Sequence, residues 1–143
     1  MSEPSAATFK VISITTEAGV ELANVRAVTG PDVITVKRLG WRRLEEAEKA
    51  NTKAAIAHVR ELGGMAVVKE IREAGGRPAI EAAAKADPLV SYDIGVLLTI
   101  GVTSLDSEGI DELEPATAKA VAREVLRLSN PSLFESEDER KNA

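Results

Sequence analysis

Cysteine is absent from this chain of 143 residues, histidine occurs once, and aromatic residues make up only 3%. The lack of cysteine excludes disulfide bridges, thiolate nucleophiles and cysteine-ligated metal ions. With His58 as the one histidine, no pair of histidines can bind a metal, and any Ser-His-Asp relay would have to use that residue. We therefore predict a protein without catalytic residues, bound metal or cofactor.

Excess basic charge and long apolar runs are also missing. The formal net charge of −5 argues against a general nucleic-acid binder, whose surface would be basic. No apolar run approaches the ~20 residues of a membrane span. The first five residues lack the basic-then-apolar order of a signal peptide. We expect a soluble intracellular protein that binds neither nucleic acid nor membrane.

The chain does contain enough apolar residues for one modest core. They make up 44% of the sequence, and many are alanine, which favours closely packed helices. We expect residues 1–7 to form a mobile arm and residues 8–134 a single domain. Residues 135–143 are mostly charged and are predicted to be a disordered tail.

The first part of this domain, residues 8–39, predicts a small β element. Residues 8–15 are mostly β-branched or aromatic, and residues 33–39 alternate between apolar and polar side chains. Residues 20–28 indicate a weaker strand between them. We predict an antiparallel hairpin or a three-stranded sheet that packs on a helix or on another copy of the chain.

From Trp41 onward the apolar spacing changes from two residues to three and four, which is typical of helices. It predicts helices over residues 41–62, 65–74, 77–86, 88–100 and 115–129, with a loop over residues 101–109. The predicted fold class is α+β, predominantly α: a small N-terminal antiparallel β element followed by a bundle of about five helices in residues 41–134. The helix over residues 88–100 is apolar on nearly all sides and is expected to be the most buried element.

Other features that resemble functional motifs have simpler explanations. His58 lies on a helical stripe and is best explained as a packed or partly exposed side chain. Residues 106–114 are acidic but lack the alternating ligands of a calcium loop, so a solvated loop is favoured. The pairs Gly63-Gly64 and Gly75-Gly76 are not followed by the Lys-Ser/Thr of a phosphate loop and are typical of helix C-caps.

The helix over residues 115–129 organises the C-terminal half. Pro115 suits its first turn, and Pro131 stops it. One face is apolar, with Ala118, Val121, Ala122, Val125 and Leu128. Beside it lies a basic stripe of Lys119, Arg123 and Arg127, which is either a solvated face, the favoured interpretation, or a grip for an acidic partner.

Four apolar residues are candidates for a partner interface. Leu126 points off the edge of the apolar face, and Leu133 and Phe134 follow the Pro131 stop. We hypothesise that these three form a patch for another copy or for a client protein; the alternative is that Leu133 and Phe134 fold back over the helix end. Trp41 carries the largest apolar area in the chain and is either a core anchor, the favoured interpretation, or a fourth interface residue.

Two parts of the sequence resemble a known family. The first is VITVKRLGW, residues 33–41, in which a strand runs into a tryptophan-led helix. The second is a series of shorter pieces: YD (92–93), GVTS (101–104), IDEL (110–113), AREVLRLS (122–129) and PSL (131–133). Together they are similar to the tail assembly chaperones of long-tailed bacteriophages, small proteins encoded between the tail-tube and tape-measure genes.

This resemblance implies a non-enzymatic assembly factor. Family members coat the long helical tape-measure protein and keep it soluble while tail-tube subunits assemble around it. The implied partners are the tape-measure protein, the tail-tube protein and possible further copies of the chain. The implied location is the host cytoplasm, with the protein absent from the mature virion. Many members also have a longer form made by ribosomal frameshifting. The adjacent codons of Lys141 and Asn142 can form the A-rich slippery sequence that such frameshifting uses.

The alternative is a structural phage protein, such as a head–tail connector or a tail-completion subunit, although these usually contain more strand. A small regulatory module is a third possibility, and the acidic charge disfavours it if it must bind DNA. A tape-measure gene immediately downstream would favour the chaperone.

Overall fold

The computed structural model describes residues 8–134, apart from residues 74, 77, 80, 81 and 83–85 and the side chains of Leu62 and Val67. The chain begins with three strands: β1 Lys10–Thr16, β2 Glu21–Ala27 and β3 Val33–Val36. They form one sheet in the order β2-β1-β3. β2 pairs antiparallel with β1, from Lys10 opposite Ala27 onward.

Within the described residues, five α-helices follow the sheet: α1 Trp41–Leu62, α2 Gly64–Glu73, α3 Ile94–Gly101, α4 Ser107–Asp111 and α5 Pro115–Ser129. Two 3₁₀ turns, Pro88–Ser91 and Pro131–Phe134, precede α3 and follow α5. The α+β class, predominantly α with an N-terminal sheet, is therefore confirmed.

The third strand pairs differently from the second. β3 lies parallel to β1, with Ser13 opposite Val33. Residues 28–32 therefore carry the chain from one edge of the sheet to the other. Lys10 fastens this crossing, because its Nζ donates to the Gly30 carbonyl at 2.6 Å and lies 2.7 Å from the Asp32 carboxylate. The hydrogen bond from Lys10, and then its charge, lower the pKa of Asp32.

The core lies between one face of the sheet and the helices α3 and α5. Alternate residues of β1 and β3 supply its strand side, and the apolar stripe of α5 covers them. The buried side chains include Ile12, Ile14, Ile34 and Val36 from the sheet, Leu97 and Leu98 from α3, and Val121, Ala122, Val125 and Leu126 from α5. Burying one such large apolar side chain contributes about 1.5–3 kcal/mol.

The expected helix over residues 88–100 is two elements. Tyr92 is extended, with φ −126° and ψ 148°, between the first 3₁₀ turn and α3. Asp93 starts a new helix, because its carboxylate accepts from the Val96 N–H at 2.9 Å while its own N–H donates to the Ala47 carbonyl. The burial expected along the whole segment holds for Leu97 and Leu98 but not for Val90, which is 53% exposed.

Residues 101–109, expected to be a loop, contain further structure. Val102 forms an isolated bridge with Val36, and the Thr103 N–H donates to the Thr35 carbonyl. This segment therefore covers the outer edge of β3, which limits pairing there with another chain. Asp106 caps α4 by accepting from the Gly109 N–H at 2.8 Å. The predicted arm, tail and most of the predicted helix over residues 77–86 lie outside the described residues.

Candidate functional site

The long helix α1 packs against the domain only over its first half. Ala47 is completely buried, and the backbone of Asp93 is bonded to its carbonyl. From Thr52 onward, every described side chain of α1 is exposed. Every described side chain of α2 is exposed as well. The far half of α1 and the whole of α2 therefore form a unit, which we call the helical hairpin, with little cover from the domain.

Gly63 makes the turn between the two helices. Its φ of 78° lies in the left-handed region that favours glycine, and its N–H donates to the Val59 carbonyl. The chain reverses direction at this turn. As a result, Nε2 of His58 in α1 lies 3.6 Å from the carboxylate of Glu70 in α2. His58 itself is partly exposed, in agreement with the sequence interpretation.

The helical hairpin carries large apolar side chains that remain in contact with solvent. We call them the hairpin face: Ile56, Val59, Met65, Val68 and Ile71, with exposed fractions from 41% to 84%. Their three-residue spacing within each helix keeps them on adjacent turns. Exposed large apolar side chains that cluster on one element are typical of interaction sites in soluble proteins. The hairpin face is thus the leading candidate surface of the described residues.

The charged groups around this face are paired within the hairpin or lie near its ends. Lys69 and Glu73, one helical turn apart, approach to 3.9 Å, and the His58–Glu70 contact joins the two helices. Exposed pairs of this kind contribute little to stability. The described residues hold no group of three or more His, Asp or Glu side chains placed to share a metal ion. The arrangement is suited to contact with an apolar helix.

Trp41 is on the surface, so the favoured interpretation of it as a core anchor is wrong. It is 69% exposed at the start of α1, and the Arg42 guanidinium lies over its ring at 5.2 Å from the centroid. The core position next to it is taken by Leu39, which is buried. Trp41 therefore has the exposure that an interface residue needs.

The proposed patch of Leu126, Leu133 and Phe134 does not form on the surface. Leu126 is fully buried, because it faces the core together with Val125. Phe134 is 2% exposed, since the second 3₁₀ turn folds it back against α5, where its ring lies 4.8 Å from the Arg127 guanidinium. Leu133, at 36%, is the one member of the three that reaches solvent. The alternative of folding back over the helix end is the correct one for Phe134.

The basic stripe of α5 contributes to the fold. Arg123 forms an ion pair with Asp87 at 3.1 Å, and Arg127 stacks on Phe134. Lys119 is exposed. At the other end of the helix, the Glu114 carboxylate accepts from the N–H groups of Val28 and Thr29 at 3.0 and 3.1 Å, which ties α5 to the end of β2.

One titratable group near the domain end of α1 is perturbed. Burial raises the pKa of the Tyr92 hydroxyl, and the nearby negative charge of Glu48 raises it further. Both effects disfavour the phenolate, the first by removing water and the second by repulsion. Tyr92 is partly buried and packs against the hydrophobic core.

Comparisons of the chain with protein-family models, with curated proteins and with solved structures found no match. No helix of the described residues combines the length and the apolar character required to cross a membrane. The sequence reasoning missed the hairpin face, although Ile56 gave a signal. Ile56 lies beside the apolar stripe through Ala55, Val59 and Leu62. The apolar surface of this part of the helix is therefore wider than a single helix–helix contact would bury.

Proposed function

We propose that this protein is a non-enzymatic assembly chaperone of long-tailed bacteriophages, which binds the tape-measure protein while the tail tube assembles. The observation that supports the proposal is the hairpin face, a two-helix surface with five large apolar side chains in contact with solvent. The sequence resemblance supplies the identity of the client. A long helical client with apolar stripes presents the complementary chemistry.

The physical basis of recognition is a helix laid against two helices. An amphipathic helix binds such a surface through apolar anchors spaced three and four residues apart. The hairpin offers Ile56 and Val59 on one helix and Val68 and Ile71 on the other, at the same spacing. Each Å² of apolar surface removed from water contributes about 25 cal/mol, before the cost of association is subtracted.

Charge supports the same role. A net charge of −5 keeps a complex with an apolar client dispersed through mutual repulsion between complexes. Tail-tube subunits then displace the chaperone when they bury the client themselves. This sequence of events needs reversible binding, which exposed apolar contacts on a small hairpin provide.

The test is co-purification with the tape-measure protein, whose gene the proposal expects immediately downstream. We expect Met65→Ser with Val68→Ser to abolish co-purification, because both side chains are exposed members of the hairpin face. The thermal midpoint of the variant should match that of the parent protein. The matched control is Val20→Ser with Val28→Ser, which removes two exposed apolar side chains near β2 and should leave co-purification intact.

Two results would contradict the proposal. In the first, the hairpin variant retains the tape-measure protein as well as the parent does. In the second, mass spectrometry finds the chain at stoichiometric amounts in purified virions, as expected for a head–tail connector or a tail-completion subunit.

A further inference from the structure

The two edges of the sheet differ in how far the rest of the chain covers them. Along the outer edge of β3, the Thr35 N–H donates to Ser104 Oγ at 2.9 Å, and the Thr35 carbonyl accepts from the Thr103 N–H at 2.9 Å. The outer edge of β2 has no such cover among the described residues until Val28, whose N–H donates to the Glu114 carboxylate. β2 is therefore an edge strand with an open side.

The pairing of β1 identifies which backbone groups of β2 face this open edge. The Ser13 N–H donates to the Asp32 carbonyl at 3.0 Å, on the β3 side of β1. The backbone of Ser13 is therefore not bonded to that of Asn24, its partner in β2. Because bonded and non-bonded pairs alternate along an antiparallel ladder, the N–H and C=O groups of Asn24 and Arg26 point away from β1. Among the described residues, these groups have no partner.

The side chains of β2 on the core side are also incompletely covered. Ala23 and Val25 contact the core but remain partly exposed, whereas Ile14 and Ile12, their partners in β1, are completely buried. β1 flanks Ala23 and Val25 on one side only. A further strand along the open edge would remove their apolar surface from water.

β2 lacks the features that commonly protect an edge strand from pairing. It is 7 residues long and contains neither proline nor lysine. Its register irregularity lies opposite Ile14 and Thr15, toward the Glu21 end of the strand. Asn24 and Arg26 lie beyond it, where the pairing with β1 is regular. This part of the edge is therefore able to pair with another strand.

The charges of β2 make the strand complementary to itself. Glu21 and Arg26 lie on the sheet face opposite the core, because their partners in β1 are an even number of residues apart. Neither has an ion-pair partner among the described residues. If Asn24 lies opposite Asn24 of a second copy, Arg26 lies opposite Leu22 of the second copy and beside its Glu21. The two-fold symmetry of this arrangement brings opposite charges together twice.

We propose that the open edge of β2 binds a second copy of this chain by antiparallel pairing of β2 with β2. The two Asn24 residues exchange both of their backbone hydrogen bonds, and two three-stranded sheets become one continuous sheet. The self-complementary charges favour a second copy over an extended segment of another protein. This contact uses no residue of the hairpin face and does not depend on the proposed function.

Amide hydrogen exchange of the full-length protein, measured by NMR at high and at low protein concentration, provides the test. We expect the Asn24 and Arg26 amides to be protected at high concentration and to exchange rapidly after dilution, because only the dimer gives them acceptors. The Val25 amide is the internal control, since it faces β1 in the monomer and should be protected at both concentrations. Sedimentation equilibrium of the same samples should show a dimer that dissociates on dilution.

Asn24→Pro removes the outward N–H and leaves the bonds to β1, which use the residues on either side. Proline is tolerated on an edge strand where the N–H faces solvent. We expect this variant to be monomeric. The matched control is Asn24→Ala, which also loses the Oδ1 that accepts from the Ser13 hydroxyl at 3.2 Å but keeps the backbone N–H. It should remain dimeric.

A charge variant leaves the backbone unchanged and tests the contact even where Asn24→Pro fails to fold. Arg26→Glu should raise the dissociation constant of the dimer by about tenfold, because like charges then face each other twice. Adding Glu21→Arg to it reverses both charges and should restore the dissociation constant of the parent. A double variant that stays as weak as Arg26→Glu would contradict the register with Asn24 at its centre.

Three further results would overturn the proposal. In the first, the parent chain is monomeric at every concentration. In the second, Asn24→Pro folds and remains a dimer, so that another surface forms the contact. In the third, protection of Asn24 and Arg26 does not change on dilution, which would mean that a segment of the same chain occupies the edge.

Discussion

The backbone N–H of Leu39 donates a hydrogen bond to the side-chain oxygen of Ser129 at 2.8 Å, across 90 residues of sequence. Both residues are buried, and the Ser129 hydroxyl donates in turn to the Val125 carbonyl at 2.6 Å. This relay joins the end of the β element to the end of α5. It satisfies a backbone donor at the point where strand geometry ends and α1 has not yet begun.

Replacing Ser129 by Ala should therefore lower the free energy of unfolding by about 1–3 kcal/mol, because the buried Leu39 N–H loses its acceptor. Chemical denaturation measures this. Ser132→Ala is the control, since that hydroxyl bonds to Asn130 on the surface and its loss should change stability by less than about 0.5 kcal/mol. Equal effects of the two changes would contradict the role assigned to Ser129.

Gly101 allows α3 to approach α5 closely. A Cβ at this position would lie 2.6 and 2.9 Å from the two Cγ atoms of Val125. Gly101→Ala is expected to destabilise the protein by about 1–3 kcal/mol through overpacking. In a Val125→Ala background the added methyl group has room, so the cost of Gly101→Ala should fall. Additive effects in this double-mutant cycle would show that the strain lies elsewhere.

Tyr92 is the single tyrosine of the chain, so its ionisation is directly visible in the ultraviolet spectrum. We expect it to titrate above the usual value of about 10, because burial and then Glu48 raise its pKa. Stability linked to this group is fully present below the pKa of the unfolded chain and is lost as the pH rises through the folded pKa. Glu48→Gln should lower the midpoint of the Tyr92 titration but leave it above the usual tyrosine value, because burial is the larger cause of the raised pKa. A midpoint at the unfolded value would contradict the assignment.

Leu97 and Val90 lie in different halves of the segment that the sequence predicts as one helix, and they differ in burial. Leu97 is fully buried, and Leu97→Ala should cost about 2–5 kcal/mol. Val90, in the first 3₁₀ turn, is 53% exposed, and Val90→Ala should change stability by less than about 0.5 kcal/mol. Urea titrations of both variants test this. Equal losses would mean that the two positions are buried alike.

The parts of the fold that could be predicted from sequence are those with local causes. Gly40 and Gly63 mark the limits of α1, and Pro115 and Pro131 those of α5, because each acts on the backbone of its own neighbourhood. Asp93 was an available signal for the start of α3, but the apolar run on both sides of it favoured a continuous helix.

The parts that could not be predicted depend on contacts between distant elements. The parallel pairing of β3 with β1 follows from the path of residues 28–32, which the alternation within β3 does not encode. The stripe of α1 is buried at Ala47 and exposed at Val59, although the periodicity is the same at both. Periodicity gives the face of a helix, and only the surrounding fold decides whether that face is covered. The candidate site was missed for this reason.

Phe134 and Leu133 are neighbours in sequence with opposite environments, and single changes at the two should differ sharply. Phe134→Ala removes a ring that is 2% exposed and stacks on Arg127, so we expect a loss of about 3–5 kcal/mol in the free energy of unfolding. Leu133→Ala should cost less than about 1 kcal/mol, because that side chain already reaches solvent. Thermal and urea unfolding measure both. If Phe134→Ala left stability unchanged but weakened self-association, the ring would belong to an interface, and the second 3₁₀ turn would have to open in the assembled protein.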